Sequence, residues 1–200
     1  AGKSTLIEGL AWALGFDEQG GTTGSEMGKR VRGDNALGAA IDLELGPRKP
    51  REGFFLRAES FFNVARFVDG ATEFAPDLSL YGDVPLHQQS HGQSFLALAA
   101  NRFGGEGLYV LDEPEAALSV SGSLALLAIM VRAARAGAQF ILATHSPILL
   151  ACPDAHIYEL DDRGLARCAY DDLDVVRFTR SFLDTPDRFI HAALADLDAE

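Results

Sequence analysis

Apolar positions along the chain change period several times, and each change marks an element. From Lys3 onward, Leu6, Leu10 and Leu14 recur at helical spacing, and the run stops at Gly15, the residue type best suited to close a helix in the left-handed conformation. A helix starting directly at Lys3 is predicted. Residues 17–35 are rich in glycine and keep no period, which reads as a flexible connection. Alternation over 39–45 predicts a short strand, 46–53 a turn, 53–59 another strand and 60–68 a helix, while 70–90 is loop-rich. Helical spacing returns over 92–103 and ends at Gly104 and Gly105. The apolar run 107–111 that follows suits a strand buried on both faces of a parallel sheet. A long helix over about 115–136, a second buried strand at 139–144, a turn at Ser146 and Pro147, and a third strand at 156–160 come next. Two helices from about Asp171, divided near Thr185 and Pro186, complete the pattern. Strand and helix alternate as a parallel sheet flanked by helices requires, so one α/β domain over residues 1–200 is expected.

Composition narrows the class. At 200 residues, 48% of them hydrophobic, the chain can bury one sizeable core. No apolar run reaches the roughly 18 residues of a membrane-spanning helix. The greasiest stretch, 124–131, falls inside a helical pattern. No signal-peptide pattern opens the sequence, so a soluble, cytoplasmic protein without a membrane partner is expected. Cys152 and Cys168 lie far apart without Cys-x-x-Cys spacing and read as reduced thiols. The net charge of −12 argues against a surface that binds nucleic acid throughout. Two small basic groups remain, Lys29, Arg30 and Arg32, and Arg48, Lys49 and Arg51; they are either solvated loops or contacts for a DNA or protein partner.

Three groups carry candidate chemistry. Gly2, Lys3, Ser4 and Thr5 match the end of the phosphate-binding pattern G-x-x-x-x-G-K-[ST] and run straight into a helix. Backbone N–H groups there would cradle phosphate oxygens, Lys3 would neutralise the β- and γ-phosphates of ATP, and the Ser4 hydroxyl would ligate Mg2+, with Thr5 assisting at the α-phosphate. The first glycine of the pattern and its strand would then precede Ala1; a chance tetrapeptide at a helix start is the plainer alternative. Next, the apolar run 108–111 delivers Asp112 and Glu113 at its C-terminal end, where open α/β sheets place their ligands. Asp112 would hold Mg2+ through its water shell and Glu113 would be the general base on the attacking water. The alternative is a pair of acids serving a helix start. Finally, His145 follows another buried strand, placed either to hydrogen-bond the γ-phosphate and the attacking water or simply to fill a turn.

In this order and spacing the three groups resemble the ATP-binding-cassette ATPases, with Gly2–Thr5 like the Walker A end, 108–113 like Walker B and His145 like the switch histidine. The resemblance covers nearly the whole chain. It implies an ABC-type, P-loop NTPase fold with a mainly parallel sheet, Mg2+-dependent ATP hydrolysis, and a signature segment before Walker B. Residues 89–93 stand in that place, within a helical part at about 70–105. Ser90, Gly92 and Gln93 would meet the γ-phosphate of ATP held by a second copy in a head-to-tail homodimer; Ser90 and Gln93 also suit an ordinary capping box. The run from Pro114 to Ser119 is more similar to stand-alone, AAA-family predicted ATPases, and distantly to recombination and chromosome-maintenance ATPase heads, than to transporter subunits. No glutamine stands where the family has its glutamine loop, and Glu59 is the nearest polar residue there; the segment 118–121 lacks the usual aspartate of the D-loop. A nucleotide-gated DNA- or protein-binding module with little turnover, and a transporter's ATP-binding subunit, are the competing readings.

Overall fold

A computed structural model describes residues 2–16, 21–22, 35–46, 50, 52–58 and 90–197. Contacts divide the chain into two units, Ala1–Cys152 and Pro153–Glu200.

In the first unit, β1 (Gly21–Thr22) pairs antiparallel with β2 (Glu52–Arg57), which runs parallel to β3 (Gly107–Asp112), itself parallel to β4 (Gln139–Ala143). Successive side chains of a strand point to opposite faces. Phe55 and Val110 therefore pack with Ile7, Ala11 and Phe16 on one side, whereas Phe54, Leu56, Tyr109 and Leu111 pack with Phe95, Leu98, Leu126 and Met130 on the other. The first layer is α1 (Lys3–Ala13); the second is α3 (His91–Arg102) and α4 (Val120–Arg135). All of β3 is buried, which explains its unbroken apolar run. Each fully buried Leu or Phe here contributes about 1.5–3 kcal/mol.

Gly15 closes α1 as its position predicts, and Gly137, not singled out by the pattern, closes α4. Gly15, at φ 87°, donates its N–H to Trp12 O while Phe16 N–H reaches Ala11 O, and Phe16 is buried beneath the helix it ends. Gly137, at φ 109°, closes α4 in the same way. A Cβ at Gly137 would also stand 2.7 Å from Gly105 O, where the loops before β3 and β4 cross. Gly137→Ala combines left-handed strain with a backbone clash and is expected to destabilise by about 3 kcal/mol. Chemical denaturation checks this, and an unchanged midpoint would contradict it. Near the start of the sheet, the Tyr109 hydroxyl accepts from Gly104 N–H at 2.6 Å and lies 3.0 Å from Glu52 Oε1. Burial, then the Glu52 hydrogen bond, pushes its phenol up to about 12.

Several elements differ from the periodicity. Residues 39–45 are not a strand: α2 (Ala36–Ala40) forms because Asn35 Oδ1 accepts from Gly38 N–H at 2.7 Å, and 41–46 join no ladder among the described residues. Gly38 lets α2 approach α1, since a Cβ there would stand 2.7 Å from the Trp12 ring. The helix predicted over 115–136 is broken. A 3-10 turn, Pro114–Ala117, gives way to extended Leu118, and Ser119 caps α4 afresh by accepting from Gly122 N–H at 3.1 Å. The turn at Ser146 and Pro147 opens a short helix, α5 (Pro147–Leu150), and the glycine-rich stretch 17–35 contains β1. The predicted helix 60–68 lies outside the described residues. No helix among the described residues is long and apolar enough to cross a membrane, and neither cysteine is in a disulfide.

In the second unit, the strand predicted at 156–160 does not extend the parallel sheet. β5 (Tyr158–Asp161) folds back on β6 (Gly164–Arg167) as a hairpin. Asp161 Oδ1 accepts from Arg163 N–H at 2.8 Å, and Gly164 takes φ 112°, so a tight turn reverses the chain. The predicted terminal helices are α6 (Asp174–Asp184) and α7 (Pro186–Leu197), joined by edge-to-face contacts of Phe178 and Phe182 with Phe189.

Candidate functional site

Parallel register brings Arg57, Asp112 and Ala143 level at the C-terminal ends of β2, β3 and β4. The first turn of α1 meets them there, and Ser4 Oγ donates to Asp112 Oδ1 at 3.2 Å across 108 residues of sequence. Lys3 is half-buried in that turn, with Gly2 and Thr5 exposed beside it. Gly2 sits at φ 96° and no side chain caps α1. Asn35, Ser90, Ser119 and Ser146 cap α2, α3, α4 and α5, whereas α1, like the helix Asp174–Asp184 that follows Leu173, starts without a side-chain cap. Uncapped N–H groups at a helix start offer partial positive charge to an anion.

Asp112 is only 6% exposed. Burial raises its carboxyl above the usual range; the Glu113 and Glu8 charges add to this, while the Ser4 hydrogen bond and the Arg57 charge oppose it. Arg57 Nε lies 3.7 Å from Asp112 Oδ2, and its Nη1 pairs with Glu8 at 2.8 Å. A hydroxyl and a carboxylate meeting at one point are hard oxygen donors of the kind Mg2+ takes, supplemented by phosphate oxygens and waters.

Glu113 leaves the strand at φ 47°, ψ 50°, a conformation rare for a residue with a side chain and found where a site over-determines the backbone. Its N–H donates to Ala143 O at 2.9 Å, tying the turn to the end of β4. Its carboxylate is 3.7 Å from His145 Nε2, and both side chains are solvent-accessible. That separation exceeds a direct hydrogen bond and leaves the two groups able to share a water. The loop carrying His145 is held by Glu115, whose Oε1 accepts from Thr144 Oγ1, His145 N–H and Ser146 N–H at 2.7, 2.6 and 3.1 Å. Neither Arg57 nor Glu115 was singled out for a role from sequence. The only signals were a basic residue ending a predicted strand and an acid following Asp112-Glu113-Pro114.

Ser90, Gly92 and Gln93 form a separate group. Ser90 Oγ accepts from Gln93 N–H at 3.4 Å and Gln93 Oε1 from Ser90 N–H at 3.0 Å, a complete capping box. A Cβ at Gly92 would stand 3.2 Å from Ala117 O, so this glycine lets α3 start against the 3-10 turn. With Leu118, Ser119 and Gly122 the three line an open cavity of about 380 Å3. Among the described residues, no hydrogen bond or ion pair joins this group to Ser4, Asp112, Glu113 or His145. Glu59, Gln89 and both basic groups lie outside the described residues.

A parallel sheet between helices, with a hydroxyl, two acids and a histidine at its strand ends, has the features of a P-loop NTPase-type domain. Residues 77–151 match the family described as "AAA domain, putative AbiEii toxin, Type IV TA system". That span covers less than half of the chain and holds Asp112, Glu113, Glu115 and His145, so the similarity to an AAA-type nucleotide-binding domain falls on the strand-end residues of the site. No curated protein and no solved structure matches the chain.

Proposed function

We propose that the chain is the nucleotide-binding core of a soluble, ABC-type ATPase that hydrolyses ATP with Mg2+ and pairs head-to-tail with a second copy when ATP is bound. The observation that carries this reading is the hydrogen bond from Ser4 to Asp112, which joins the two segments expected to share a Mg·nucleotide. Gly2 to Thr5 hold the phosphates through backbone N–H groups, Lys3 neutralises the β- and γ-phosphates, and Ser4 and Asp112 hold Mg2+. When bound, that ion supplies charge neutralisation at the phosphates. Glu113 takes a proton from the attacking water and His145 hydrogen-bonds the water and the γ-phosphate, so catalysis rests on positioning and fixed charge. Ser90, Gly92 and Gln93 face the ATP of the partner copy. The Ser90 hydroxyl already accepts from Gln93, and its own proton remains to be donated.

The dimer is tested by light scattering on full-length Glu113→Gln protein with ATP and Mg2+. A doubling of mass that needs ATP is expected, and an unchanged mass would overturn the head-to-tail arrangement.

A further inference from the structure

The geometry points to Glu115 as a positioning residue that holds His145 against Glu113, an assignment that rests on the ATPase reading above. Glu115 touches neither group's reactive atoms. It acts on the loop: one carboxylate oxygen collects the Thr144 hydroxyl and two consecutive backbone N–H groups, those of His145 and Ser146. These partners lie 29, 30 and 31 residues away in sequence, so the contact is a bridge between two strand ends. β4 ends at Ala143 and α5 starts at Pro147, which leaves the intervening N–H groups without a ladder or helix of their own. Thr144 closes the ring, its Oγ1 donating to Glu115 and accepting from Ser146 N–H at 2.9 Å.

The other end of the bridge is equally constrained. Glu113 and Glu115 are separated by Pro114, which is fully buried and has a fixed φ, so the two acids move as one bracket. The bond from Glu113 N–H to Ala143 O fastens the bracket a second time. The two ties together hold the backbone from Ala143 to Ser146, and the His145 ring lies 3.7 Å from the Glu113 carboxylate. Hydrogen bonds to an ionised acceptor are roughly twice as strong as neutral ones, which suits a carboxylate to this task. The cost is visible at the second oxygen, Oε2, which is buried without a hydrogen-bond partner among the described residues.

The test is a double-mutant cycle of Glu115→Ala with His145→Ala in the full-length protein. It is read as kcat and KM for ATP, with amide exchange at His145 and Ser146 measured without nucleotide. Glu115→Ala is expected to lower kcat about 30- to 100-fold with KM changed less than about 3-fold, since small misplacements of reacting groups cost this much. It is also expected to add no further loss once His145 is alanine, and to abolish amide protection at 145 and 146. Glu115→Gln keeps an oxygen acceptor and is expected to recover kcat to within about 5-fold of wild type; if the alanine variant does not fold, Thr144→Val, which removes the hydroxyl donor to Glu115 and the acceptor of Ser146 N–H, takes its place in the cycle with a loss of about 5- to 10-fold that again vanishes once His145 is alanine. Additive losses, or amide protection unchanged in the variant, would overturn the assignment. Wild-type protein without ATP turnover would instead sink the ATPase reading, and the amide exchange would still report on the tether.

Discussion

Replacing Glu113 with glutamine is expected to lower ATP turnover by about 10³-fold, within the range for loss of a general base, while ATP affinity stays within a few-fold. Glutamine preserves the length of the side chain and the left-handed backbone at φ 47°, so the strand exit and the tie to Ala143 O persist. What disappears is the proton acceptor facing the water that Glu113 and His145 are placed to share. Single-turnover phosphate release is the direct readout, because it separates chemistry from product dissociation. A loss smaller than about tenfold would assign the base to another group.

Replacing Asp112 with asparagine is expected to act in opposite directions on stability and activity. The carboxylate is desolvated, and its folded-state value is raised above the ordinary one of 3.8. A raised carboxyl contributes stability that is present below the ordinary value and lost as pH rises through the folded one. At neutral pH the charged group is therefore a liability that the neutral amide removes. Asparagine can still accept the Ser4 hydrogen bond, and Arg57 keeps Glu8 at 2.8 Å. The variant is expected to be more stable at pH 7 by about 0.5–2 kcal/mol, the usual gain from relieving a strained functional position. That advantage shrinks as pH falls towards 3.8. Mg2+-dependent hydrolysis should meanwhile fall at least about 100-fold. Thermal melts of both proteins across this range check the sign, and a variant less stable at neutral pH would contradict it.

These effects concentrate where local pattern and long-range register meet. The fully buried strand β3 was legible because its apolar run is strand-length and follows Gly104 and Gly105, and Gly15 was legible because it directly follows the last apolar position at helical spacing. The break before α4 was not, since 115–136 keeps good helical composition throughout and only the Ser119 side chain, reaching Gly122, resets the helix. The hairpin β5–β6 was half legible: its first strand was found, but the turn at Asp161 and Gly164 sends the chain back on itself instead of towards the parallel sheet. Within the site, Ser4, Asp112, Glu113 and His145 stood out by residue type at strand and helix ends. Arg57 and Glu115 could not, because their significance depends on which neighbours the sheet register sets beside them.

Titration of ATP into full-length wild-type protein and into Asp112→Asn, each with and without Mg2+, addresses the shared Ser4–Asp112 site most directly. Wild-type protein is expected to bind ATP at one site per chain and more tightly with Mg2+, and the variant to bind ATP without any Mg2+ enhancement. Absence of ATP binding by wild-type protein, or the same Mg2+ enhancement in both proteins, would contradict the account.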